Sequence, residues 1–355
     1  MIRRLGRRIY KVHKWSGLFA GIIILILGLS GSVLVFHEEL EALEFRRFLT
    51  TNNHEPVSIN KAYHTIAEKY PNRELRLQRF SENPNETLIF SIRHPAQRLT
   101  VFVHPSTGNI IKAIDSNKTF TTWLLTLHYS LHATLIGEIV VFIAGIAFLL
   151  SILTGIIIYR KAFMDMLLFR IKFRKKNKRS IASSLHRYVG VWALFLNIFI
   201  VLSGVLISYD IVSGGIKKRG AKSQVITSPE IKFSIDSALG VLKSQYPLFK
   251  PSYIRFPLAE GKPLGISGKV DGQSFFWSKF YNSVAIDAST GEISELKLNP
   301  SADGKTKLAS IVRAVHFVEF GNFPIKLLFC LTGLSAPILS ITGFLLWWWK
   351  RKNAI

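Results

Sequence analysis

Cysteine is all but missing from this chain, with Cys330 the single one in 355 residues. A lone thiol excludes an internal disulfide, a cysteine-based zinc site and a cysteine-ligated iron–sulfur cluster. It also excludes covalent c-type haem, whose C-x-x-C-H attachment needs two cysteines. Charge is sparse as well, at 19% of residues, and acids are the scarcer kind: 22 Asp and Glu stand against 46 Lys and Arg. No G-x-G-x-x-G lies between a strand and a helix, which leaves no dinucleotide-binding turn and no obvious flavin domain. Apolar residues fill the chain instead, at 48% with 26 Phe.

They gather in four runs, about residues 15–36, 135–159, 188–209 and 325–349. Each is long enough, at about 1.5 Å per residue, to cross a hydrocarbon core of about 30 Å. The first exceeds a signal-peptide apolar region and no A-x-A site follows it, so it reads as a span. Basic residues sort by side. Arg3, Arg4, Arg7, Arg8, Lys11 and Lys14 precede the first span without an acid, ten bases against Asp165 fill residues 160–187, and Lys350, Arg351 and Lys352 close the chain. Alternating spans put all of these on one face, which the positive-inside rule makes cytoplasmic. The net charge of +24 then follows from topology and anionic lipid rather than from nucleic acid. Within the basic loop, apolar residues from Phe163 to Phe173 interleave with Arg170, Lys172 and Arg174, the pattern of a short interfacial helix.

The chain also repeats itself. His13 precedes Ser30-Gly31 in span one as His186 precedes Ser203-Gly204 in span three, by seventeen residues to the serine in both. His128 precedes Thr154-Gly155 in span two as His316 precedes Thr342-Gly343 in span four, by twenty-six residues to the threonine. Both outer segments show an amphipathic helical pattern (about 59–70 and 235–246), then short alternating strands, then an S-T-G turn at Ser106-Thr107-Gly108 and Ser289-Thr290-Gly291. The expected fold is a membrane all-α core, a four-helix transmembrane bundle with a twofold internal repeat, carrying two small α+β extracytoplasmic domains. Its expected divisions are span one at 8–37, an outer domain at 38–120, span two at 121–160, a basic cytoplasmic loop at 161–185, span three at 186–209, a second outer domain at 210–310 and span four at 311–350. Such halves run parallel about an axis along the membrane normal.

On these residues, from about 8 to 352, the sequence resembles the PepSY-associated transmembrane family. The resemblance implies PepSY-like outer domains and a bacterial inner-membrane location with both termini cytoplasmic. That family includes di-haem reductases that deliver electrons to ferric siderophores of the ferrioxamine type.

Ten histidines occur. His54, His64, His94 and His104 fall in the first outer segment, read as surface or turn residues, and the second has none. His13, His186, His128 and His316 occupy matched positions in both halves. A normal-axis pseudo-twofold can set His13 against His186 and His128 against His316, the arrangement of bis-histidine haem b with one haem near each face. Structural histidines and a non-haem metal site are the competing readings. His132, one helical turn past His128, is a further candidate for the outer position or for a supporting contact; its counterpart in the second half is Phe320. Lys14, Arg187 and Arg313 are candidate propionate partners. The leading function is therefore a two-haem electron conduit that reduces a ferric chelate outside, with the siderophore supplied by the resemblance and the electron donor a protein, a quinol or a diffusible reductant. The alternative is a non-enzymatic membrane protein that binds a periplasmic partner; a transporter ranks last, because four spans make a small bundle for alternating access.

Overall fold

The computed structural model describes residues 2–95, 97–220, 226–227 and 229–352; part of the second outer segment, 221–225, lies outside the described residues. In chain order the first half holds α1 (Ile2–Leu34), α2 (His37–Phe45), α3 (Ile59–Lys69), β1 (Glu74–Arg79), β2 (Leu88–His94), β3 (Gln97–Val103), β4 (Ile110–Asp115), α4 (Phe120–Ser130) and α5 (Thr134–Tyr159). After the short α6 (Phe163–Leu167) come α7 (Lys178–Trp192), α8 (Leu194–Gly220), α9 (Ile235–Gln245), β5 (Phe249–Arg255), β6 (Leu264–Val270), β7 (Ser283–Ile286), β8 (Ile293–Lys297), α10 (Gly304–His316) and α11 (Phe323–Lys352). The chain divides into two compact units. One comprises Met1–His37, Leu124–Ala221 and Val315–Ile355; the other comprises Glu38–Trp123 and Lys222–Ala314.

The first unit is a helical membrane core. Among the described residues, four of its helices are long and apolar enough to span a bilayer: Arg4–Leu34, Thr134–Tyr159, Leu194–Lys217 and Phe323–Lys352. α1 packs against α5 and α11, α5 also meets α8, and α11 meets α7. Between them sit Ala20, Ile24, Ala144, Phe148, Ile152, Val201 and Ala336, while Phe19, Ile22 and Phe195 point outward, as lipid-facing side chains do. α1 and α11 approach closely because small residues allow it: a Cβ on Gly28 would strike the Pro337 ring, and one on Gly333 would strike Ser32.

Three of the expected spans are not single helices. The stretch 121–160 breaks between α4 and α5, where Leu131, His132 and Thr134 take φ of 52°, 57° and 48°. The stretch 311–350 breaks between α10 and α11, with Val318 at φ 52°. Residues in the left-handed region cannot continue a right-handed helix. The first break is tight: the Ala133 N–H donates to the Ser130 carbonyl at 2.8 Å, and that carbonyl lies where a Cβ on residue 137 would be, a place only Gly137 leaves open. The third break is slight, a single residue, Ala193, between α7 and α8. α6 has only five residues, shorter than the interfacial helix expected over 163–173.

The second unit holds both outer segments, and they do not form separate domains. All eight strands join one antiparallel sheet in the order β4-β3-β2-β1-β5-β6-β7-β8, which reads alike from either edge. β1 meets β5 through Arg76 opposite Arg255 and Leu77 opposite Ile254. The expectation of one domain at 38–120 and another at 210–310 is corrected accordingly. Split apart, each half would expose a row of unpaired backbone groups along β1 or β5 and open a shared core. That core runs across the junction, with Ile66, Leu77 and Phe90 from one half and Leu242, Ile254 and Phe256 from the other, and Phe256 stacks on Tyr63 at 4.5 Å.

α3 and α9 cover the apolar face and cap each other. The Asp236 carboxylate on α9 accepts from the Ile59 N–H at 2.8 Å, from the Ser58 hydroxyl at 2.7 Å and from the Asn60 N–H at 3.3 Å. In return the Asn60 side-chain oxygen accepts from the Ile235 N–H at 3.2 Å. The first N–H groups of α3 and that of Ile235 at the start of α9 are thus satisfied across the helix pair, while Ser58 and Ser234 cap their own helices. The two S-T-G turns also match. Gly108 and Gly291 take φ of 77° and 79°, and their N–H groups donate to His104 and Asp287 carbonyls at 3.0 Å in each case.

Candidate cofactor site

In the membrane core the four spaced histidines meet in two pairs. The rings of His13 on α1 and His186 on α7 have centroids 6.3 Å apart with planes at 84°. Those of His128 on α4 and His316 on α10 lie 6.4 Å apart with planes at 42°. His13 and Gly31, the glycine beneath His128, are eighteen residues apart on α1, about 27 Å along the axis at about 1.5 Å per residue. The two pairs therefore sit toward opposite ends of the same helix.

Each imidazole rests on a glycine of a neighbouring span. A Cβ on Gly155 would lie 3.3 Å from Cε1 of His13, on Gly343 3.4 Å from that of His186, on Gly31 2.8 Å from that of His128 and on Gly204 3.0 Å from that of His316. Beside each glycine an oxygen receives the Nδ1 proton. His13 donates to the Ser151 carbonyl at 2.9 Å. His186 donates to the Thr342 hydroxyl at 2.9 Å, His128 to the Ser30 hydroxyl at 3.0 Å and His316 to the Ser203 hydroxyl at 3.1 Å. The direction of these bonds is determined. A carbonyl only accepts, and the three hydroxyls spend their own protons on the carbonyls of Ile338, Ile26 and Phe199 at 2.6, 2.8 and 2.7 Å. With Nδ1 protonated, all four rings keep the lone pair on Nε2, the tautomer of an Nε2 metal ligand with a supported second nitrogen.

The spacing suits one iron between each pair. Two collinear bonds of about 2.0–2.1 Å from metal to imidazole nitrogen, with the ring centre about 1.1 Å further on, separate the centroids by about 6–6.5 Å. Two nitrogens alone do not make a closed non-haem site, which needs three or more protein ligands. Among the described residues no three His, Cys, Asp or Glu side chains cluster to hold a metal. A macrocycle that brings its own four nitrogens needs only the two that each pair offers.

A family model for the PepSY-associated TM region matches residues 10–351. The chain belongs to that family. No curated protein matches it.

The other candidate residues make the following contacts. His132 is exposed, in the left-handed turn after α4, so it does not share a helical face with His128 as its four-residue spacing implied. Lys14 lies with Nζ 4.3 Å from the Trp15 ring centre. The Arg187 Nε donates to the Ser183 carbonyl at 3.0 Å. Arg313 is grouped with the sheet unit, its guanidinium 4.3 Å from the Phe280 ring centre. Ser30, Ser203 and Thr342 are hydrogen-bond partners of the paired histidines that had served only to align the two halves. Their recurrence at a constant distance from a histidine was the signal.

Proposed function

We propose that this family member is a bis-histidine, two-haem electron-transfer protein of the bacterial inner membrane, built as a twofold repeat, that reduces a ferric siderophore or related ferric chelate on the periplasmic side. The observation that carries the reading is the pair of imidazole couples at 6.3 and 6.4 Å, each ring with its Nδ1 proton tied to a neighbouring span. Haem b, when bound, supplies reversible one-electron iron chemistry between the couples.

The chain's own residues supply the rest. His13 and His186 would hold one haem and His128 and His316 the other, each through the Nε2 lone pair. Ser151, Thr342, Ser30 and Ser203 hold the second nitrogen and raise the basicity of the ligand. The apolar spans exclude water and set a low dielectric around the site. The basic segments at 3–14, 160–187 and 350–352 support a cytoplasmic position for the His13–His186 end and a periplasmic one for the His128–His316 end, with both termini inside. One electron passes from a donor protein, quinol or diffusible reductant to the chelated Fe(III), leaving Fe(II), which a hard-oxygen chelator holds more weakly.

Pyridine haemochrome assay of purified variants tests the pairing. His13→Ala and His186→Ala are each expected to lower the content from about two haems per chain to about one, and His128→Ala and His316→Ala to remove the other. Wild-type protein without a Soret band would favour the non-enzymatic, partner-binding alternative.

A further inference from the structure

α3 and α9 cover one face of the sheet; the other carries an unusual set of charges. Arg76 on β1 stands directly opposite Arg255 on β5, and Arg93 on β2 directly opposite Arg98 on β3, with Glu74 opposite Arg93 on the other side. Residues opposite each other across a ladder, and residues two apart on a strand, share a face, so these five side chains project together. Like charges placed directly opposite on a sheet destabilise it, and here two such couples lie on neighbouring strands.

Their compensation is incomplete. Glu74 is the one carboxylate among the five, and it is taken by Arg76, with which it forms a short ion pair, and by Arg255 at 3.1 Å. Arg76 also donates through Nη1 to the Tyr253 hydroxyl at 2.9 Å. Arg93 and Arg98 have no ion pair among the described residues, and the Arg93 Nε is buried without a hydrogen-bond partner. Burial, and then the charges of Arg76 and Arg98, lower the Arg93 guanidinium to about 10. Four guanidiniums against one carboxylate leave an excess of three positive charges on this part of the sheet.

We propose that this face binds a multiply charged oxygen anion, the chemical class of carboxylate- and catecholate-type ferric chelates. Planar guanidiniums match carboxylate and catecholate oxygens in bidentate geometry, and such a ligand would relieve the repulsion between the opposed arginines. A neutral or cationic hydroxamate chelate gains no charge pairing there, so the class is narrower than ferric chelates at large. In naming a ferric chelate the inference rests on the reduction reading above; anion binding by these arginines does not.

Full-length protein in nanodiscs of zwitterionic lipid, titrated calorimetrically with iron-free citrate and with ferric citrate, tests the site. Both ligands are expected to bind, more weakly as NaCl is raised. Arg98→Gln, at an exposed position without an ion pair among the described residues, and Arg255→Gln, checked for an unchanged circular dichroism spectrum, should each weaken binding about tenfold or more. Arg93→Lys should restore less than the native affinity, because an ammonium lacks the fork. Absence of citrate binding at low salt, or equal affinity in wild type and Arg98→Gln, overturns the proposal. So does loss of citrate binding in nanodiscs made with phosphatidylglycerol, which would assign the arginines to a lipid headgroup. A His128→Ala variant separates this site from the function proposed above. If it and the wild type bind citrate but the wild type reduces no ferric citrate, the anion site stands and the reductase reading falls; reduction that is indifferent to Arg98→Gln and Arg255→Gln does the opposite.

Discussion

Thr342 and Ser151 both serve the His13–His186 couple, and they do so through different atoms. Thr342 accepts the His186 proton through its hydroxyl, whereas Ser151 accepts the His13 proton through its backbone carbonyl at 2.9 Å, with its hydroxyl at a marginal 3.4 Å. On the two-haem proposal, Thr342→Val should therefore weaken haem binding about 10–100-fold and move that centre's potential upward, since the ligand loses basicity. Ser151→Ala should leave both unchanged, because the carbonyl remains. Spectroelectrochemical titration of the two variants checks the contrast, and equal shifts would refute it. The four histidines were legible in sequence because two spacings recur in the two halves. Their cradles were not, since a glycine in a span reads equally well as helix packing. The turn at His132 left no mark because nothing in Leu131-His132-Ala133-Thr134 has the composition of one, yet three of these non-glycine residues take positive φ.

Among the elements, the crossed caps of α3 and α9 make the clearest demand. Asp236 alone receives three hydrogen bonds from the start of α3. Asp236→Ala is expected to cost the sheet unit about 2 kcal/mol, the range for a lost charged cap. Hydrogen exchange on the full-length protein should then show faster exchange in α3 and α9 and none of that change in α5 or α11. Unaltered protection of the α3 amides would show that the caps are dispensable. These two helices were readable from their apolar periodicity over 59–70 and 235–246, to within a residue of the observed bounds. The breaks inside the stretches 121–160 and 311–350 were legible in part: the apolar runs begin only at about 135 and 325, just past them, and Gly321, Asn322 and Pro324 punctuate the second, whereas Leu131-His132-Ala133-Thr134 carries no such mark.

At the scale of the whole chain, the sheet differs most from expectation. Alternation along a strand reports which side chains face inward and is silent on which edge will find a partner, so the joining of β1 to β5 left no mark in either local pattern. A chain ended after Gly220 keeps β1 to β4 and loses their neighbour; it is expected to aggregate or be degraded, and to be rescued when the 235–314 segment is supplied alongside it. Recovery of that fragment alone in the membrane fraction, with its 38–123 segment resistant to protease, would refute the dependence. The same junction puts the molecule under a clock. Roughly 170 residues, including two spans, separate the end of β1 from the start of β5. At about 5–20 residues per second the ribosome takes about 10–30 s to deliver them. Throughout that interval the nascent first half presents an unfinished edge to the quality-control machinery, so the yield of this protein in a cell is governed by how fast its second half is made.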